Sequence, residues 1–179
     1  MRKGMLSRSK DGGTDHEIVE AGDLELIARE KIIKLLDAKF KGKCLAKLVD
    51  AILSAQGYTT YRSPEGLDGS VDILASRSFL GLGSRVCVTV ASQPAPMELK
   101  SLNLLYDVMQ KFQSKEGILV SWSGFKNSIY GKVAQGSINI QLWTINELLE
   151  QLVSSYDQLG ADLKAELPLK KIWTVEIRP

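Results

Sequence analysis

Residues 57–92 read GYTTYRSPEGLDGSVDILASRSFLGLGSRVCVTVAS, and this stretch decides the fold. It holds three runs with the look of strands, Tyr58–Arg62, Ser70–Ala75 and Arg85–Ala91. The first is rich in β-branched and aromatic residues, which suit the pleated, half-buried surface of a sheet. Between the runs stand Ser63-Pro64-Glu65-Gly66 and the glycines Gly81 and Gly83. These mark turns, because proline fixes its own φ and glycine tolerates positive φ. Links this short predict an antiparallel meander of three strands. One residue is out of place. Asp72 sits mid-strand between Val71 and Ile73, where aspartate is disfavoured and an unpaired buried carboxylate is costly. A structural hydrogen bond and a functional role both account for it.

Helical spacing flanks the meander. From Asp23, the residues Leu26, Ile33, Leu36 and Phe40 recur at the period of a helix that Gly42 stops. Leu45, Leu48, Val49, Ile52 and Leu53 form a second stripe that ends at Gly57. On the other side, the prolines of Ser92–Pro96 punctuate the chain, and Leu99, Leu102, Leu105, Met109 and Phe112 mark an amphipathic helix. The apolar run 117–122, GILVSW, fits a buried strand, so the helix before it is a crossover on one sheet face. Ile138–Trp143 reads as a further strand. Thr144-Ile145-Asn146-Glu147 is a capping box opening a helix through Leu148, Leu149, Leu152, Val153 and Tyr156. Pro168 interrupts the end, and Ile172–Ile177 reads as a final strand. From the second helix to GILVSW the order is α-β-β-β-α-β. That order makes an α/β fold with a mixed sheet flanked by helices.

The bulk numbers frame this reading. With 179 residues, 44% hydrophobic and 25% charged, the chain suits one globular domain. Residues 21–179 are expected to form it, behind a disordered basic tail, 1–20. Arg2, Lys3, Arg8 and Lys10 give the first ten residues four positive charges and no negative one, so the rest sums to −2 out of a net +2. The body therefore lacks a global basic signature. Cys44 and Cys87 lie in apolar stretches, as small buried hydrophobes would. No CxxC spacing exists and the single His16 lies in the tail, which excludes a structural zinc site and a Ser-His or Cys-His triad. No run is apolar enough to span a bilayer and the N-terminus has no signal-peptide core, so the expected compartment is the cytoplasm.

Four pieces of the chain, in order, carry a family resemblance: LVDAILSAQGY (48–58), SPEGLDGSVDILA (63–75), ILVSWSGFKNSI (118–129) and AELPLKKIWT (165–174). Together they resemble the Mrr-like type IV restriction endonucleases, a branch of the PD-(D/E)xK nuclease superfamily. The resemblance implies a restriction-endonuclease-like core, DNA as partner with modified DNA as the substrate class, and Mg²⁺ as cofactor. It also admits a homodimer. Asp72 stands where the family has its metal-binding aspartate. Ser70 replaces the second glycine of a family Gly-Gly pair. The positions of the family's Gln-x-Lys hold Thr89 and Ala91. The first core helix often bears a glutamate in this superfamily, and Leu45-Ala46-Lys47 offers none.

The chemistry says what these departures mean. In phosphodiester hydrolysis a metal stabilises charge and helps form hydroxide. The family lysine helps orient or deprotonate water, and loss of such a group costs about 10²–10⁴ in rate. Thr89 is a shorter, poorer ligand and Ala91 has no functional group. Lys100, on the following helix, is the nearest lysine that could stand in, against the plainer reading of a solvated helix residue. Arg85 shares strand parity with Ala91 but lies about 20 Å away. Asp68 is either a second metal ligand or an aspartate bonding its own turn. Glu65 is an exposed turn residue in the same cleft. Lys126 and Asn127, beside Trp122 and Phe125, either touch DNA phosphates or belong to a packed loop. Trp143 and Trp173 are expected in the core. The chain is therefore expected to act on DNA with impaired cleavage. Two alternatives stay open: an active endonuclease with a relocated lysine, and a non-catalytic interaction domain of nuclease fold.

Overall fold

The computed structural model describes residues 21–63, 71–77, 83–136 and 139–173. A long helix α1 (Ala21–Phe40) leads through a single 3-10 turn at Gly42–Cys44 into α2 (Leu45–Ala55). The stripe Leu45, Leu48, Val49, Ile52 and Leu53 is buried, as its spacing requires. Gly57, at φ 87°, turns the chain into the sheet. The strands are β1 (Thr59–Arg62), β2 (Ile73–Ser76), β3 (Arg85–Ala91), β4 (Glu116–Ser121) and β5 (Asn139–Trp143). They lie side by side in chain order.

β1, β2 and β3 form the antiparallel meander, whereas β3–β4 and β4–β5 are parallel. Parallel neighbours need a crossover. The first contains α3 (Leu99–Lys111) and the second α4 (Asn127–Gln135). After β5 come α5 (Ile145–Ser155), a 3-10 turn at Tyr156–Gln158 and the short α6 (Ala161–Glu166). The restriction-endonuclease-like α-β-β-β-α-β order is thus present as a mixed five-stranded sheet flanked by helices.

Strand alternation divides the interior into two cores. Val86 and Val88 face α1, α2 and α5, where Leu36, Phe40, Ile52 and Leu152 are buried. Cys87 faces the opposite way, toward α3 and α4, with Leu102, Leu105, Met109 and Ile129. The sheet is the middle of three layers.

Several expectations need correction. Asp72 is not mid-strand; it occupies a bend just before β2. Cys44 is exposed, whereas Cys87 is buried as expected. Trp143 is a core residue at 4% exposure, but Trp173 is 99% exposed. Ile172 and Trp173 are not in a strand, and residues 174–177 lie outside the described residues. Of the Lys126–Asn127 pair, expected in a packed loop or at DNA phosphates, Asn127 opens α4 rather than lying in a loop. The expected tail, 1–20, also lies outside the described residues. No described helix is long and apolar enough to cross a membrane.

Candidate functional site

Asp72 lies at the seam between β2 and β3. Its backbone N–H donates to the Val88 carbonyl at 3.0 Å, yet Val88 is the register partner of Ile73. Two residues thus stand opposite one, the arrangement of a β-bulge, which re-aims a side chain and breaks the alternation. The flanks show the break: Val71 and Leu74 pack on the α3 side, Ile73 on the α2 side. The Asp72 carboxylate takes the place of a ladder carbonyl. Its Oδ2 accepts the Val90 N–H at 2.7 Å. Burial pushes this carboxyl above its ordinary value, and the bond from Val90 acts in the opposite sense.

Thr89 and Ala91 flank Val90 in the chain and share strand parity with each other, on a strand antiparallel to β2. Through the Val90 contact, chain geometry limits the separation of the Asp72 and Ala91 Cβ atoms to about 10 Å. The Thr89 Oγ1 is buried and has no hydrogen-bond partner. Ala91 packs against the core on the α3 side. Lys100 is exposed in the first turn of α3, the helix that covers this side of the sheet. Asp68 and Glu65 lie outside the described residues.

One acid escaped the sequence reading. Asp50, on α2, has an Oδ1 that is buried without a hydrogen-bond partner. Ser54 meets Thr60 hydroxyl to hydroxyl at 3.1 Å. One helical turn back, Asp50 comes level with the Arg62–Ser63 end of β1, and the Ser63 N–H donates to the Asp72 carbonyl at 2.9 Å. The available signal was an aspartate inside the apolar run LVDAIL, one turn beyond Leu45-Ala46-Lys47.

Lys126 and Asn127 stand at the N-terminus of α4, both exposed. Lys126 is ion-paired with Glu98 and holds that carboxyl below its usual range. A parallel bridge between Met97 and Phe125 ties the starts of α3 and α4 together. Lys100, Lys126 and Asn127 thereby gather at the C-terminal ends of β3 and β4, the end at which Asp72 meets Val90.

Among the described residues, Asp72 has few partner donors for a hard cation. Such ions take about six oxygens, and one Asp72 oxygen is held by Val90. Among the described residues no cluster of three or more His, Cys, Asp or Glu side chains could hold a metal.

Residues 37–152 match the Mrr_cat family model, described as restriction endonuclease. The chain belongs to the restriction endonuclease family. Solved structures show the same fold. One is the DNA modification-dependent restriction endonuclease AspBHI, at TM-score 0.60 and 14% identity, over 94% of this chain and 44% of that one. Another is the MspJI restriction endonuclease in complex with a 27-mer oligonucleotide, at TM-score 0.51 and 14% identity, over 92% of this chain and 40% of that one. The chain spans less than half the length of either. No match was found among curated proteins. Among the described residues, Asp72 lies at the β2–β3 seam, with the Thr89 hydroxyl and the Ala91 methyl on the adjacent strand.

Proposed function

We propose that this chain is a DNA-directed member of the restriction endonuclease family that has lost cleavage. Modified DNA is its substrate class, and Asp72, Thr89 and Ala91 are its altered catalytic positions. One observation carries this reading: among the described residues, the β3 positions next to Asp72 hold a buried, unpartnered Thr89 hydroxyl and the Ala91 methyl. Neither can deprotonate water or offset the charge of a pentavalent phosphorane. Mg²⁺ association at Asp72 is then weak. Lys126 and Asn127 contribute phosphate contacts at the same end of the sheet.

The test is plasmid nicking by purified wild-type protein with Mg²⁺ or Mn²⁺. No nicking above the Asp72→Ala background is expected. Metal-dependent cutting that disappears in Asp72→Ala would overturn the reading. In that case Lys100 is the lysine to substitute first, because it is exposed on the helix that packs over the side carrying Ala91.

A further inference from the structure

A concavity lies at the other end of the sheet from Asp72, where β3, β4 and β5 begin. It is a cleft of about 260 Å³ between α2, α5 and the sheet. Val86 lines it, four residues from Val90 and so about 13 Å along β3 from the Asp72 contact. Its apolar lining is Leu53, Val86, Ile118 and Trp143. Above this, side-chain amides converge from two helices and an edge strand. The Gln56 amide donates to Gln151 Oε1 at 2.8 Å, and the Trp143 indole N–H donates to Gln141 Oε1 at 3.2 Å.

Those two bonds use only part of what the side chains offer, since each amide carries two donor hydrogens and a two-fold acceptor. Gln56 Oε1 is left to accept, and the Gln151 and Gln141 amide nitrogens are left to donate. The Arg77 guanidinium lies 4.8 Å from the centroid of the Tyr58 ring at the rim, and Glu116 adds an acceptor.

We propose that this cleft binds a planar nitrogen heterocycle of nucleobase size. The lining selects that class in three ways. Several polar side chains oppose a hydrocarbon, which could satisfy none of them. Glu116 opposes a bare anion. The mixture of free donors and acceptors above a small apolar floor matches a flat ring whose edge alternates the two. The volume is just under the ~300 Å³ at which drug-sized pockets begin, so a single base fits and an oligonucleotide does not.

The test uses the intact chain labelled with ¹⁵N, in which the three tryptophans Trp122, Trp143 and Trp173 give separate indole N–H signals. Trp143→Phe identifies the Trp143 signal. Adenine and cytosine are titrated separately, with inorganic phosphate as a further arm. Saturable displacement of the Trp143 signal by at least one base is expected, with the Trp173 signal unmoved. Gln151→Leu should weaken binding up to about tenfold, the scale for one lost hydrogen bond. Gln141→Ala, at an exposed strand position, gives the same readout if the helix variant does not fold. No saturable displacement by either base would overturn the proposal. So would equal displacement by phosphate, or binding unchanged in the variants that fold.

Discussion

The Asp72 carboxylate accepts the Val90 N–H where a regular ladder would supply a carbonyl, so its charge and its hydrogen bond act oppositely on stability. Burial raises its folded-state pKa above the ordinary 3.8. Between those two values the native state binds more protons than the unfolded chain. Stability from this group is thus fully present below 3.8 and is lost as pH rises through the folded pKa. Asp72→Asn removes the charge and keeps an oxygen acceptor. Urea unfolding at neutral pH should find it at least as stable as wild type, with a flatter acid limb. Asp72→Ala leaves the Val90 N–H without an acceptor and should cost about 1–3 kcal/mol. An Asn variant less stable than the Ala variant would contradict this assignment. Asp72 was legible in the sequence because a carboxylate inside an apolar run is anomalous. The bulge was not, since it depends on which β3 residue stands opposite. Asp50 gave a weaker signal of the same kind inside LVDAIL, because an acid on the flank of a helical stripe is ordinary until the packing around it is known.

Among the elements, α3 packs closely on β4 at Gly117. A Cβ there would lie 2.7 Å from Met109 Sδ and 3.0 Å from Leu105 Cδ2. Gly117→Ala should therefore overpack the α3 side, costing about 1–3 kcal/mol and lowering Tm by several degrees. Met109 is flexible and is the nearer of the two neighbours. A double-mutant cycle with Met109→Ala should then show a favourable interaction between the substitutions, whereas strict additivity would place the strain elsewhere. Elements set by local chemistry were readable in advance. The Thr144–Glu147 capping box is formed as its four letters predict. The glycine-marked links gave the meander. α4 was missed because Ile129 is its only buried residue, so it carries no stripe. Ile172 and Trp173 looked like strand and core from residue type alone. Burial requires a partner surface, and sequence pattern cannot supply one.

At the scale of the molecule, the proposed DNA contacts rest on few charges. Lys126 is paired with Glu98, which offsets its attraction for phosphate. Glu98→Ala should strengthen DNA binding at low salt. Lys126→Ala should weaken it about equally for all sequences and reduce the log–log salt slope by about 1. Identical slopes for wild type and both variants would remove Lys126 from the interface. The general outline was readable in the sequence because the strands lie in the sheet in the order in which they occur in the chain.

That same order has a consequence for how the chain assembles as it is synthesised. Every strand after the first can dock on a neighbour that has already emerged, so no strand must wait for a distant partner. The antiparallel pairings of β1, β2 and β3 close short loops and favour fast folding, whereas β4 and β5 each dock only after a helical crossover has emerged. The core on the α2 side is the exception. Leu48, Val49 and Ile52 of α2 share it with Leu148, Leu149 and Leu152 of α5, about a hundred residues later. Until α5 leaves the ribosome, one side of a nearly finished sheet has its apolar residues only partly covered. This is the interval in which a nascent chain is most exposed to aggregation and to chaperones.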